Sequence, residues 1–557
     1  MQDSKNLILA VALSVLVMVG WQYFVELPKH REAEKLAAER QEIKPAEMPV
    51  RAESGLKDRA EAVSESPRIA IENGDLKGSI SLKGARFDDL SLVKYKETTE
   101  KNSPEVTLLS PSDTENFYFG EFGWLGENAP DSGTVWQADD NQLTPGKSVT
   151  LTWKNPVGLV FKQIITLDDN YMFKVVQSVE NKSTVGVSVM SYGLINRTHI
   201  KTKAYYILHE GPLGVMNGAL EEVTYQKLMD AKKLEYKGTQ GWLGITDKYW
   251  LTALIPEGLG DFDSHFTYTN KDNIDRFQVD YLSGKLEIAP GETKETSAYF
   301  FAGAKEVRLL DDYSQKLNIP LFDRAIDFGW FYFLTKRVFY ILNFLNKSVG
   351  NFGVAIILLT LLVKLLMFPL ANKSYKSMSQ MKALQPEIIK LRERFKDDKA
   401  RLNQEVMALY KREHVNPLSG CLPLFIQIPI FFSLYKVLFV TIEMRHAPFF
   451  AWIHDLSVPD PTSIFNLFGL LPFHPPAFLM IGVLPLLYGI SMYFLQRLNP
   501  TPPDPVQAQM MKALPFVFTF LFASFPAGLV LYWVCSNTLS IAQQLVITRE
   551  VRQQKKG

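Results

Sequence analysis

The stretch "TLLVKLLMFPL", Thr360–Leu370, sets a lysine inside an apolar run that begins near Phe352 and stops at Pro369-Leu370. A bilayer's hydrocarbon core is about 30 Å thick and needs roughly 20 apolar residues of helix to cross it. Phe352–Leu370 meets that length, so the run reads as a membrane span. Lys364 then sits where a charge costs about 2.5–3.5 kcal/mol on insertion scales, and it needs either an escape to water or a function.

Working outward, five more spans follow: "NLILAVALSVLVMVGWQYFV" (Asn6–Val25), Gly420–Ile442, about Ala477–Leu495, Met511–Phe525 and Leu529–Ile547. No small-x-small cleavage site follows the first, which ends in the interfacial aromatics Trp21, Tyr23 and Phe24, so it reads as an uncleaved anchor. Residues 371–417 carry 11 Lys/Arg against 6 Asp/Glu, the tail 548–557 carries 4 against 1, and the 443–476 loop has only Arg445. The positive-inside rule places 371–417, 496–510 and both termini in the cytoplasm, and 26–350 outside.

Composition agrees. The 47% hydrophobic fraction hides a split between a mixed, polar region from about 70 to 320 and the apolar runs from 352 onward. With 60 basic and 59 acidic residues the chain offers no reason to bind nucleic acid directly. Cys421 and Cys535 both lie in apolar runs, which argues against a disulfide framework.

Residues 26–66 are a mixed-charge tether with too few large apolar residues to bury a core. From about 68 to 303, period-two alternation ("SVTLTW", "GLVFKQIITL", "MFKVVQSVEN") broken by turn signals predicts many short strands and a large β-sandwich. "NQLTPGKS" (Asn141–Ser148) lacks the first glycine of a phosphate loop, and His199, His209 and His265 lack metal-ligand spacing. No cofactor is expected. Before the second span, "FDRAIDFGWFYFLTKRVFYILNFLNKSVG" is interrupted by Lys336 and Arg337, so it predicts an amphipathic helix on the outer membrane surface.

The expected order is anchor 1–25, charged linker 26–66, β domain 67–305, outer helices 306–350 and span 351–370. Next come cytoplasmic hairpin 371–417, span 418–442, outer loop 443–476, span 477–495, cytoplasmic loop 496–510, two spans within 511–547, and basic tail 548–557. In the hairpin, Met378, Met381, Leu384, Ile388, Leu391 and Phe395 form one apolar stripe and Leu402, Val406 and Leu409 another, either packed on each other or offered to cytoplasmic partners.

Lys364 has two readings. It lies six residues from Leu370, about 9 Å of helix, so its stem could snorkel to the interface. Lys436 lies just as far from the outer end of its own span, so depth alone does not separate the two lysines. Neighbours differ: Thr360 lies at i−4 on the face of Lys364, whereas Phe432 and Val440 flank Lys436. Gln427, Ser433, Ser536, Asn537 and Gln543 add polar groups that should face inward, and with a lysine they outline a wet pocket. Met511–Phe525, about 15 residues or roughly 22 Å, is short for the bilayer and implies local thinning.

At this point the chain resembles the YidC membrane protein insertases over essentially its whole length. The resemblance rests on "GNFGVAIILLTLLVKLLMFPL", "LQPEIIKLRERFKDDKARLNQEVMALYKREHVNPLSGCLPLFIQIPIF" and "PFVFTFLFASFPAGLVLYWVCSNTLSIAQQ". It implies a polytopic α-helical inner-membrane protein, with five of six helices as an insertase core and a periplasmic all-β supersandwich. It implies an insertase and chaperone rather than an enzyme. Lys364 matches the basic residue of the family's polar groove, Thr360 its nearby hydroxyl, and Tyr532 and Trp533 aromatic positions facing passing substrate. Implied partners are nascent integral membrane proteins, the Sec translocon, membrane lipid, and the ribosome or targeting factors at the cytoplasmic loops and tail. Well-known bacterial members carry arginine where this chain has Lys364, which keeps the charge but loses the planar donor fork. The outer loop "FNLFGLLPFHPPAF" is also longer than usual. The competing architecture is a secondary transporter, but the unlike spans show no internal repeat.

Overall fold

The computed structural model describes residues 56–198, 208–271, 273–396, 398–416, 422–469, 480–499 and 505–554, with isolated positions between 471 and 476. The expected anchor Asn6–Val25, most of the charged linker, His199 and Cys421 lie outside the described residues.

Two large sheets, of 11 and 9 strands, fill the region from Arg68 to Ala304. Strands alternate as the sequence does: Leu159–Leu167 buries Leu159, Phe161, Gln163, Ile165 and Leu167 on one face. It pairs antiparallel with Met172–Asn181, which pairs in turn with Thr293–Ala304 in the 9-stranded sheet. In the 11-stranded sheet Tyr118–Gly126 pairs with Val187–Thr198, and that with Ile274–Ser283. The sheets meet through aromatic side chains, Phe87 lying 5.2 Å from Phe173 and 5.1 Å from Phe300 between ring centres. "NQLTPGKS" is the turn by which the chain leaves one sheet at Gln142–Leu143 and enters the other at Ser148–Lys154. His209 Nε2 lies 3.0 Å from the Pro212 carbonyl and His265 pairs with buried Asp280, so both serve the domain's packing.

Eleven helices are described, two of them short: α1 (Arg59–Ser64) and α2 (Tyr225–Ala231). Past the sandwich, α3 (Val307–Lys316) buries Val307, Leu310 and Tyr313 on one stripe. Next, α4 (Tyr332–Val349) is amphipathic, burying Val338, Phe339 and Leu342 while Phe333 and Phe344 stay exposed. Gly350 closes it in the left-handed conformation at φ +72°.

The apolar helices that follow are α5 (Phe352–Ala383), α8 (Leu422–Val440), α9 (Val483–Leu498), α10 (Pro505–Phe522) and α11 (Ala527–Gln554). Phe352–Ala383 and the Ala527–Arg549 part of α11 are long and apolar enough to cross a membrane; Phe425–Val440 and Ala508–Phe522 are shorter. Leu365, Leu366, Phe425, Ile490, Phe516 and Val546 are exposed on these helices, as lipid-facing side chains should be.

Two boundaries differ from expectation. The second span does not end at Leu370: α5 continues through Pro369 to Ala383 and absorbs Met378 and Met381 of the predicted hairpin stripe. A proline removes one backbone donor, which a long helix tolerates, whereas the break at Leu384 falls just ahead of Pro386, in the first turn of the next helix, where proline is favoured. The fifth span, expected to reach Phe525, stops at Phe522, three residues before Pro526 turns the chain into α11.

Residues 383–416 group apart from the remainder of the described residues. In them α6 (Gln385–Arg394) packs on α7 (Lys399–Arg412), with Ile388, Val406 and Leu409 buried and Asp398 capping α7 through the Arg401 N–H.

Candidate functional site

The polar side chains of α11 recur at helical spacing. Tyr532, Ser536, Ser540 and Gln543 follow one another at i, i+4, i+8 and i+11, so they share a face; Trp533, Asn537 and Gln544 form a stripe beside it. The first stripe meets α8 and α5. Gln427 Nε2 donates to the Tyr532 hydroxyl, Lys364 Nζ donates to Ser540 Oγ at 2.8 Å, and Gln543 Nε2 donates to Asn372 Oδ1 at 2.6 Å. The second stripe meets α9, where Asn537 Nδ2 lies 3.1 Å from Ser491 Oγ, and the segment after it, where Gln544 reaches Asn499.

Among the residues singled out in the sequence, Lys364, Gln427, Tyr532 and Asn537 therefore make polar contacts between helices. Ser536 is buried on the same face. Thr360 stands apart: it is fully buried and its hydroxyl donates to the Ile356 carbonyl of its own helix at 2.7 Å. Ser433 Oγ and Trp533 Nε1 are buried with no hydrogen-bond partner among the described residues. Ser540, Ser491 and Asn372, the partners of three of these groups, were not singled out. Ser540 had a signal, its i+4 relation to Ser536; Ser491 and Asn372 had none beyond being polar in or beside an apolar segment.

These contacts also level the helices. Lys364 lies 12 residues into α5 and Ser540 13 residues into α11, while Ser491 and Asn537 lie 8 and 10 residues into theirs, so α5, α9 and α11 begin at nearly one height. Gln427 is 13 residues from the end of α8, but its partner Tyr532 is only 5 residues into α11, so α8 rises about 12 Å higher at 1.5 Å per residue. Lys436 then lies about 6 Å above the level where the other helices begin, and Lys364 about 18 Å below it.

Depth separates the two lysines, and so do their partners. Lys436 Nζ meets the carboxylate of Asp327 at 2.7 Å. Lys364 forms no ion pair among the described residues; its contact is the Ser540 hydroxyl.

The end of the bundle nearer the β domain is closed by the segment after α8. The Ala527 N–H donates to the Val458 carbonyl at 2.8 Å and the Gly528 N–H to Leu456 at 3.0 Å, with Ile453 and Leu456 buried against them. Asp460, also buried, accepts the Leu484 N–H at 2.8 Å and so caps the start of α9.

Residues 344–555 match the family model of the 60Kd inner membrane protein, and residues 68–341 match that of the YidC periplasmic domain. The chain belongs to the YidC family of membrane protein insertases. A membrane protein insertase YidC of Rickettsia bellii is 51% identical over 554 residues, covering 98% of both chains. Its counterpart in Rickettsia rickettsii (strain Sheila Smith) is 51% identical over 552 residues, 98% of this chain and 99% of that one. The crystal structure titled as an active YidC insertase with the first transmembrane domain resolved aligns over 86% of this chain and 92% of its own, at 18% identity and a TM-score of 0.36. YidC proteins are insertases rather than enzymes, and the match places this chain in the inner membrane with a β-rich periplasmic domain ahead of a helical C-terminal region.

Proposed function

We propose that this chain inserts and helps fold integral membrane proteins through a polar groove on the inner face of α11, with the Lys364 ammonium as its positive charge. The observation that carries the reading is the partner of that ammonium. A lysine kept for structure inside a membrane is neutralised, as Lys436 is by Asp327. Lys364 is steered by one neutral hydroxyl, so two of its three N–H donors remain for a passing client. Tyr532, Ser536 and Gln427 extend the polar path from it toward the periplasmic closure, and exposed Phe425, Phe516 and Phe520 give a client's apolar side a lipid-like surface. Thr360 contributes packing, because its hydroxyl is already committed.

The termini lie in the cytoplasm on this reading, as the basic 371–417 segment and tail require. The α6–α7 arm and the tail receive the ribosome or targeting factors, and some clients arrive by way of the Sec translocon. Removing the arm should slow insertion in reconstituted vesicles without unfolding the membrane helices; an intact rate would make it a packing element only. The direct test of the groove is disulfide cross-linking to stalled clients carrying one cysteine, with Cys421 and Cys535 replaced by serine. Ser536→Cys and Ser540→Cys should capture the client's crossing segment, and lipid-facing Val546→Cys should not. Equal capture at all three would remove the groove. Nothing in the helices favours a transporter.

A further inference from the structure

Lys436, the second lysine among the apolar helices, is tied into the turn that leads to the interfacial helix α4. Its Nζ lies 2.7 Å from Asp327 Oδ2, and the other oxygen of Asp327 accepts the Gly329 N–H at 3.0 Å. Gly329 adopts φ +71°, and a Cβ there would come within 3.0 Å of Lys436 Cε, so the lysine stem lies against the turn itself. The two charged side chains are only 15% and 24% exposed, and Phe328 is buried beside them. Beyond this turn α4 packs along α8.

The same helix is fastened a second time. Lys336 bridges Asp311 of α3 and Asp323 at 2.6 and 2.8 Å, while Tyr340 and Tyr332 donate to the same two carboxylates. Trp330, Phe333 and Phe344 are left exposed on α4 and the turn before it. An amphipathic helix held by apolar contact alone can slide on a membrane surface, because such contact has no preferred register. A mostly buried ion pair does have one, since moving either partner leaves a charge uncompensated.

We propose that Lys436 and Asp327 are positioning residues for insertion. Their ion pair sets the depth of α4 in the outer leaflet and holds the outer half of α8, and beyond Pro429 the inner half carries Gln427 to the groove residue Tyr532. The role in insertion rests on the insertase reading; the depth of α4 does not.

The test uses the full chain in proteoliposomes, with Cys421→Ser and Cys535→Ser and a fluorophore on Phe344→Cys. Quenching by lipids spin-labelled at different depths reports the position of α4, client insertion is measured at matched abundance, and thermal unfolding in detergent checks the fold. Lys436→Asp and Asp327→Lys should each shift the quenching profile and lower insertion by about threefold or more, and the double reversal should restore both. Lys436→Met and Asp327→Asn stand in if the reversals are not recovered folded, with the same shift and loss expected. Unchanged depth and insertion in folded single variants would overturn the proposal. So would a lowered unfolding temperature with no change of depth, or a folded double reversal that restores neither readout. An unsubstituted chain that inserts no client would sink the insertase reading and with it the role in insertion, and the quenching profile would still decide whether the pair fixes α4.

Discussion

Removing the Lys364 ammonium should separate clients by the charge of the segment they pass outward. In the resting protein Lys364→Ala costs one hydrogen bond to Ser540, worth about 1 kcal/mol, and breaks no ion pair, so the fold should survive. During passage the loss is larger. A carboxylate 6 Å from the ammonium, at an effective dielectric near 20, gains about 3 kcal/mol, and at 4 Å about 4 kcal/mol. If half of the 6 Å value is realised in the rate-limiting step, insertion of a client with an acidic outer tail falls about tenfold. A neutral-tailed client loses only dipolar attraction and should slow by less than about threefold. Lys364→Arg should retain both rates, since the charge matters more than its shape, and Lys364→Glu should slow the acidic client most. The assay is protease protection of paired clients in proteoliposomes at matched abundance, at low and high salt. Equal slowing of both clients by Lys364→Ala would refute the electrostatic reasoning and leave snorkelling as the better account of the lysine.

Deleting most of 70–300 while retaining α4 and Asp327 should preserve insertion, because the described sandwich contributes no side chain to the α11 groove contacts; loss of viability with a stably expressed deletion would count against this. Gly489 lies where a Cβ would meet Thr519 Oγ1 at 2.1 Å, so Gly489→Val should force α9 and α10 apart and lower the unfolding temperature by several degrees, with Thr519→Ala partly rescuing it. A pH effect should arise at Glu443, just beyond α8, where one carboxyl oxygen accepts the Val307 N–H at 3.2 Å and the other is buried without a partner among the described residues. Burial pushes this carboxyl up to about 7 from 4.5, with Glu306 adding to the shift. A raised carboxyl stabilises the fold fully below its unfolded value and loses that contribution as pH rises toward and through about 7, so thermal stability should fall between pH 5 and 8. Glu443→Gln should flatten that slope, and an unchanged slope would locate the titration elsewhere.

Much of this architecture was legible in the residues because its signals are local. Period-two alternation is a property of a strand and the face it buries, so the β region from Arg68 to Ala304 could be marked from "SVTLTW" and "GLVFKQIITL" alone. Length and hydropathy likewise marked the helix around Lys364, and the interruption at Lys336 marked α4 as interfacial. Helix ends were less legible: proline at 369 and proline at 386 look alike in a sequence, yet α5 runs through the first and breaks ahead of the second.

What each lysine does was decided only in three dimensions. Lys364 finds Ser540 at 176 residues' separation and Lys436 finds Asp327 at 109, and no local pattern encodes either meeting. The sequence by itself determined that both amines lie about six residues from a span's end. Their difference in height follows from how α8 is offset against α11, and that offset is set by Gln427 meeting Tyr532 and by the segment that closes the bundle over Ala527 and Gly528. Secondary structure follows from chemistry within a turn or two of chain, whereas the environment of a buried charge follows from which distant carboxylate or hydroxyl the packed helices bring to it.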